Sequence, residues 1–526
     1  MIQIRQIKVR VEDDSLSVLK KKVIKKYHLS EKEIKSFEIT KKSIDARKKE
    51  EIYYVYEVQI SLKKEDAFFK RNTDKNISKI MATKMKVEIT GNLELKYRPV
   101  IVGSGPAGLF CAYFLAKYGY QPIIVEQGEP IEKRVKKVEE FFETGKLDVF
   151  TNVSFGEGGA GTFSDGKLNT LVSDKKNLMK EVFTILVENG APKEILYLNK
   201  PHIGTDLLRK VMINIRKKII AYGGEFHFST KLTNIEVESS RLKRIQLNGN
   251  EWLFCDLLVL AIGNGARDTF QMLYDNHLKM SAKPFAVGVR ISHPQEMINK
   301  SQYGNYQELY PASYKLTYTT KSNRGGYSFC MCPGGYVINS SSFPEELVIN
   351  GMSNHKRDTK NSNSAIVVTV NPNDYGNGVL DGMFFQEELE KKAYLLGNGK
   401  IPVQLYKDFK ENKESKEFLG VEPIFKGSYA FANLNLLFPK EIADSIKESI
   451  DYFDTKIKGF NRDDAIIAGV ESRTSSPVRI ERDENMEANI RGIYPCGEGS
   501  GYAGGITTSA MDGIKVFLEV IKKYKC

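Results

Sequence analysis

The chain has 526 residues and a formal charge of +12, with 41% hydrophobic and 27% charged residues. This is the composition of a soluble globular protein too long for one ordinary core, so roughly two or three domains are expected. The absence of any run of about 18 apolar residues excludes a transmembrane helix and so a membrane partner of that kind. Six cysteines make no disulfide framework, and the start Met1-Ile-Gln-Ile-Arg5 lacks a signal-peptide core, so a reducing cytoplasm is expected.

Residues 1 to about 95 read as a small α+β unit. Ile2, Ile4, Ile7 and Val9 alternate like strand positions. Leu16, Leu19, Val23 and Ile24 predict a helix with Ser15 as its cap. Ile52, Tyr54, Tyr56, Val58 and Ile60 predict a long strand, and Met85, Val87 and Ile89 another. The basic stretch Lys41-Lys-Ser-Ile-Asp-Ala-Arg-Lys-Lys49 admits contact with phosphate or RNA, but a charged edge that discourages strand pairing explains it better. Lysines are spread along the chain and not gathered in a tail, which favours a solvated surface over a nucleic-acid partner.

Residues 99–126 read as strand, tight turn, helix, strand. Val100–Val102 is apolar enough for a buried parallel strand. Gly103-Ser104-Gly105-Pro106-Ala107-Gly108 fits G-x-G-x-x-G: the glycines permit the turn, close approach of a pyrophosphate, and helix–strand packing. Ala107, Phe110, Cys111, Phe114, Leu115 and Tyr118 predict one buried helix face, closed by Gly119. Glu126, followed by Gln127, ends the second strand, where a carboxylate accepts from ribose hydroxyls and repels a 2′-phosphate. These pieces predict a dinucleotide site.

A lysine- and glutamate-rich helix is predicted over 131–150. The loop Ser154-Phe-Gly-Glu-Gly-Gly159-Ala160-Gly161-Thr162-Phe-Ser-Asp-Gly-Lys167-Leu168 holds too many glycines for a helix or strand interior, and suits backbone lying against a ligand. Thr162, Ser164 and Lys167 offer donors to phosphates or to a flavin ring edge. A helix follows over 206–220, then a strand from Glu225, short strands near Ile235 and Ile245, and a buried strand from Leu257 into Ala261-Ile262-Gly263. Residues 284 to about 460 mix strands such as Ala365–Val370 with helices and polar loops. They contain no second strand–G-x-G-x-x-G–helix, so this region is read as substrate-side. The chain ends as strand, glycine loop and helix, Ile493 to Gly513, in which Gly504 and Gly505 leave bare amides before Ile506 and Thr507 for an anionic group.

Catalytic candidates are weaker. Cys330-Met-Cys332 reads as structural or pocket-lining thiols, with a redox role the alternative; a lone C-x-C is poor zinc spacing, and no metal is expected. His293 and His355 qualify as acid/base groups by type alone, against the alternative of surface or satisfied core residues. Arg473 suits a bidentate grip on a substrate carboxylate, or else pins Glu498 or another local acid; Arg290 has the same two readings.

Together these pieces resemble the FAD-dependent oxidoreductases that share the glutathione-reductase type of FAD domain. The first strand–helix–strand unit then binds ADP, Ala261-Ile262-Gly263 matches an internal Ala-Thr-Gly-like turn, and Gly497-Glu498 matches the Gly-Asp/Glu that touches ribityl and pyrophosphate. The Cys-x-x-x-x-Cys of related disulfide reductases is missing; the first helix has only Cys111. The chain is closer to a bacterial family of uncharacterised FAD-dependent dehydrogenases, or FAD-dependent proteins. It resembles that family in Phe155–Lys167, Phe329-Cys-Met-Cys-Pro-Gly-Gly335, Asn350-Gly-Met-Ser353, Ser472-Arg-Thr-Ser-Ser-Pro477, Cys496–Gly505 and Ser43-Ile-Asp-Ala-Arg47.

The resemblance implies an α/β chain bearing FAD. A Rossmann-like FAD-binding domain (96–283 and 461–526) carries an inserted α+β substrate domain (284–460) beside the N-terminal α+β domain (1–95). The expected activity is hydride transfer between flavin N5 and a small molecule, with NAD(P)H at most a transient donor. The alternatives are an RNA-associated flavoprotein of the tRNA-modification kind and a non-catalytic flavin-binding interaction protein.

Overall fold

A computed structural model describes residues 1–81, 85–170, 172, 174, 176–306 and 309–526. Among them no helix is long and apolar enough to cross a membrane.

The N-terminal unit is an antiparallel sheet of four strands in the order Ile34–Asp45, Tyr53–Leu62, Ile2–Arg10, Ile77–Lys79. Alternation works as expected: Ile2, Ile4, Val9, Val58 and Ile60 are buried against Leu19, Val23 and Phe68 from the helices. Helix Leu16–Lys26 starts at Ser15, whose Oγ accepts from the Val18 amide at 3.3 Å. The basic stretch enters an edge strand that ends at Asp45, and Lys41, Lys42 and Arg47 find acids within the unit. Lys42 reaches Asp14 and lies 3.9 Å from the Tyr54 ring centroid, and Arg47 pairs with Asp45 at 2.7 Å. The edge is also covered, since the Lys42 amide donates to Tyr197 O at 2.7 Å.

The strand expected at Met85, Val87 and Ile89 does not form. The fourth strand is Ile77–Lys79, and 85–91 instead runs along the last helix. Thr90 and Gly91 both donate to Ile521 O there, while Met85 and Val87 pack on the central core. Alternation alone did not reveal that no partner edge was available.

Five parallel strands in the order Ile493–Pro495, Leu258–Leu260, Val100–Val102, Ile123–Val125, Glu225–His227 make the central sheet. It is a Rossmann-like layer, and its carboxyl edge carries the turns that build the site. Helix Pro106–Lys117 is buried on every side and not on one face, because helix Ile506–Lys523 and helix Thr205–Ala221 enclose it. Glycines permit this: a Cβ on Gly108 would lie 1.9 Å from Gly103 O, and one on Gly513 2.2 Å from Ala107 O. The helix expected over 131–150 stops at Thr144, where Gly145 takes φ 77°.

Between 284 and 474 lies a seven-stranded sheet in the order Thr317–Thr319, Gly325–Cys332, Asn361–Val370, Phe285–Pro294, Ile466–Glu471, Ile401–Leu405, Tyr429–Phe431. Its core includes Val289, Ile366, Leu389, Ile446 and Phe453, the last three from helices Asp381–Leu396 and Lys440–Asp454. All but one of its ladders are antiparallel.

Candidate functional site

A cavity of about 400 Å³ opens where the carboxyl edge of the parallel sheet faces the seven-stranded sheet. One end is made of backbone. Gly103 sits at φ 101°, and a Cβ there would lie 2.2 Å from Ala261 O. The helix that follows begins at Pro106 with no side-chain cap, so its first amides face the cavity. Glu126 stands beside it, almost fully buried. Its Oε2 accepts from Ser104 N (2.9 Å) and Ser104 Oγ (2.8 Å); its Oε1 accepts from Gly128 N and Gly156 N, both at 3.0 Å. Four donors fix the carboxylate in place as an acceptor.

The glycine loop is shaped by a residue that sequence pattern had left in an unremarkable helix. Arg134 is fully buried, and its guanidinium donates to five carbonyls: Asn152, Val153, Gly156, Glu157 and Gly159, at 2.6–3.1 Å. No spacing rule points to it, because its partners are main-chain oxygens far along the chain.

The second backbone piece is the start of helix Ile506–Lys523, also without a side-chain cap. No atom lies within 4 Å of where a Cβ on Gly504 or Gly505 would stand, so this space is left open toward the cavity. Glu498 lines the wall beside it, held by Asn264 Nδ2 at 3.1 Å. Burial pushes its carboxyl up to about 7, against the pull of Lys283.

The other end is made of side chains. Lys167 Nζ lies 3.2 Å from Asp165, 4.0 Å from Cys330 Sγ and 3.7 Å from Cys332 Sγ. Glu471 lines the cavity while holding buried Arg290 through two 3.0 Å bonds. Arg473 grips Glu390 in a bidentate pair (2.9 and 2.6 Å) and turns Nη1 to Ser342 Oγ at 2.8 Å.

Residues 284–474 match the family model "FAD-dependent protein, C-terminal domain-like", residues 101–131 an NAD(P)-binding Rossmann-like domain, and residues 1–61 a domain of unknown function. An uncharacterised protein of Clostridium beijerinckii is 47% identical over 99% of both chains. The chain belongs to this family of FAD-dependent proteins.

Its cofactor is FAD, and residues 101–131 belong to a Rossmann-like nucleotide-binding unit. Solved structures overlap only loosely. Glycine oxidase from Bacillus cereus is 12% identical at a TM-score of 0.36, covering 81% of this chain and 98% of that one. Glycerol-3-phosphate dehydrogenase from Bacillus halodurans, solved with FAD, is 12% identical at 0.36, covering 81% and 65%. Overlaps of that size assign no reaction here.

The residues present fit FAD: two uncapped helix starts, open space at Gly504 and Gly505, and an oriented carboxylate. Gly103, Gly105, Pro106, Ala107, Glu126, Gln127, Gly159, Ala160, Gly161, Lys167, Ala261, Ile262, Gly263, Glu498, Gly504, Gly505 and Ile506 line the cavity, as does Arg473.

Other sequence candidates stand behind the wall. Ser104 serves Glu126, and Gly108 packs on Gly103. Thr162 is buried and turns its hydroxyl to Glu157 O, Gly497 donates to Asp512 at 2.9 Å, and Thr507 Oγ1 donates to Leu168 O at 2.7 Å.

The catalytic candidates need larger corrections. Cys332 is fully buried behind Cys330. His355 is not at the cavity; its Nδ1 bonds Ile203 O at 2.9 Å and its ring stacks on His202. His293 is core, bonded to Phe460 O, and burial pulls it down to about 4. Of the two readings for Arg473 and Arg290, the structure has each pinning a local acid: Arg473 holds Glu390 and Arg290 holds Glu471.

Asn264 and Gly265, which extend the turn expected to meet the cofactor, and Asn350, from a motif of the resembled family, line the cavity too. Sequence reasoning passed over Thr230, Thr269 and Glu471, which also line it.

Proposed function

We propose that this protein is an oxidoreductase in which a small molecule binds against the wall of Lys167, Cys330, Glu471 and Arg473 and exchanges a hydride with the cofactor. One observation carries the reading: a single cavity joins the backbone cradle to that charged wall. FAD, when bound, supplies the capacity to accept or return two electrons.

The chain's own residues do the rest. The amides at Gly105–Ala107 and at Gly505–Ile506 stabilise negative charge through their open helix starts. Glu126 takes hydroxyl donors on the nucleoside side. Lys167, held upright by Asp165, offers a positive charge to an anionic substrate group, as does Arg473 Nη1 between Ser342 and Ser154. Glu498, near neutrality in its ionisation, can hold or release a proton at its carboxyl oxygen.

A small-molecule partner is favoured over RNA because Lys41, Lys42 and Arg47 of the basic stretch pair with acids of their own unit and the strand edge at Lys42 bonds Tyr197. Among the described residues no second parallel strand–glycine–helix unit stands apart from this cavity, since the turn at Gly263–Gly265 lines the same space. A pyridine nucleotide would have to borrow it. Anaerobic mixing with NADH, NADPH and a panel of amino and hydroxy acids, following loss of flavin absorbance, tests the reading. We expect slow reduction by either nucleotide and faster, saturable reduction by one acid class. Fast, saturable reduction by a nucleotide alone would make it the substrate and refute the substrate-side reading of 284–460.

A further inference from the structure

Lys167, Asp165, Cys330, Cys332, Arg290, Glu471 and Arg357 form one cluster at the cavity's side-chain end. Its cations are Lys167, Arg290 and Arg357; its carboxylates are Asp165 and Glu471. Asp165 serves two cations at once, Lys167 at 3.2 Å and Arg357 Nε at 2.9 Å. Glu471 serves Arg290. One positive charge is left without an anion in a place where Asp165, Arg290, Glu471 and Cys332 are all buried. An uncompensated buried charge is costly, and its neighbours shift to neutralise it.

The other groups facing the site do not supply the missing anion. His202, stacked on His355, is held neutral by burial, down to about 4. Burial raises the Tyr314 hydroxyl and the Glu471 carboxyl, and keeps Glu498 near 7 with Lys283 opposite. The remaining acid within reach of Lys167 is a thiol.

Of the two thiols, the backbone presents one to the cavity. Strand Gly325–Cys332 loses register with Asn361–Val370 between Phe329 and Cys332, a bulge that re-aims side chains. Cys330 sits in it at φ 42°, a left-handed conformation uncommon for any residue but glycine and costly enough to need surrounding support. Arg290 Nη1 provides some, donating to Cys330 O at 3.2 Å. Cys330 lines the cavity, whereas Cys332 is sealed behind it with its thiol against Cys330 O. The neighbouring Cys332 thiol, together with Lys167 and Arg290, draws the Cys330 thiol well below its ordinary range, and Cys332 is pushed the other way.

We propose that Cys330 is an ionised nucleophile facing the cavity, and that the cavity captures a small soft electrophile through a covalent bond to its sulfur. The thiolate is the reactive form of cysteine, and a cationic, partly exposed setting is where such thiolates occur. With an alkyl halide the Cys330 sulfur lone pair forms the S–C bond and halide leaves. With a disulfide it forms a new S–S bond, the old one breaks, and the departing thiolate takes a proton from water. The proposal uses the cavity of the proposed function but rests on the chain's own charges, so failure to reduce the flavin leaves it standing.

The test is alkylation of FAD-loaded and FAD-stripped protein by iodoacetamide and, separately, by hydroxyethyl disulfide, with peptide mass mapping across pH. Exposed Cys526 is the internal reference, and buried Cys111 and Cys255, which do not line the cavity, are the blanks. We expect Cys330 to react at least about tenfold faster than Cys526 at pH 6.5, with Lys167→Gln removing about tenfold of that rate. Thiolate absorbance near 240 nm, present in wild type and missing in Cys330→Ser at neutral pH, reads the same state should Lys167→Gln fail to fold. A Cys330 profile coincident with that of Cys526, no absorbance difference, or inertness to both reagents in both forms overturns the proposal.

Discussion

The two ends of the cavity are built from different materials. The cradle at Gly103–Ala107 and Gly504–Ile506 is main chain: open amides, missing Cβ atoms and one carboxylate locked by four donors. The wall at Lys167, Cys330, Glu471 and Arg473 is side chain, and apart from the Lys167–Asp165 pair its groups meet partners far away in sequence, as Arg473 meets Glu390. Backbone geometry suits a ligand part whose shape never changes. Side chains suit the part that differs between reactions, because substituting one leaves the fold of the cradle alone.

The sharpest way to break this contrast is Arg134→Met, since the main-chain loop of the cradle depends on that one side chain. Gly156, Glu157 and Gly159 keep a second donor each, but the Asn152 and Val153 carbonyls lose theirs, and at about 1–3 kcal/mol per buried unsatisfied group a total loss of about 2–6 kcal/mol is expected. Cofactor content and the thermal midpoint should fall together; an unchanged midpoint would show that the loop holds itself.

Glu126→Ala should weaken FAD retention by about ten- to a hundredfold, the worth of hydrogen bonds to a charged group. Glu129→Ala is the control, because its carboxylate pairs with Lys133 and Lys137 outside the cradle. Mass spectrometry of the released cofactor reads both variants, and equal retention would mean the ribose is held elsewhere.

A smaller effect lies in the pH dependence of stability. Folding raises the Glu498 carboxyl from 4.5 to about 7. The folded state therefore binds that proton more tightly, and the stability it contributes below about 4.5 is lost as pH rises toward 7. Glu498→Gln should flatten the fall in thermal midpoint between pH 5 and pH 8 by about a few degrees. Glu157 and Glu346, also raised to about 7, keep some slope in the variant. An unaltered slope would place the titration elsewhere.

The smallest effect is expected from Thr507→Val. Its hydroxyl serves Leu168 O behind the cradle, so about 1 kcal/mol of stability goes while FAD content stays. Loss of cofactor in this variant would put Thr507 in the binding surface after all.

The contrast also explains what was legible in the sequence. Glycine spacing and a carboxylate after an apolar run are local signals, and they placed Gly103, Glu126 and Gly505 at the cavity. Thr162 and Thr507 were misplaced because the same local signal cannot say which way a hydroxyl turns in the first turn of a helix. The wall was mostly hidden. Glu471 and Arg290 lie 181 residues apart, Lys167 and Cys330 163, and only the folded sheet brings them together. His355 and His293 were chosen by residue type, and packing decides that question: one ring is stacked, the other buried. The missing strand at 85–89 has the same cause, for alternation describes a strand's faces and says nothing of whether a neighbour has a free edge.

The parallel sheet has one more consequence, in time rather than space. Its central strand Val100–Val102 lies beside Leu258–Leu260, which lies beside Ile493–Pro495, and the second set of open amides follows that last strand. During synthesis the ribosome delivers the first half of the nucleotide cradle some 400 residues before the other, so the cofactor cannot be enclosed while the chain is still growing through 284–474. Loading then marks the end of translation of this region. A nascent chain stalled between Leu260 and Ile493 would hold four of the five parallel strands with the Leu258–Leu260 edge unpaired, exposed to the chaperones and proteases that survey such edges.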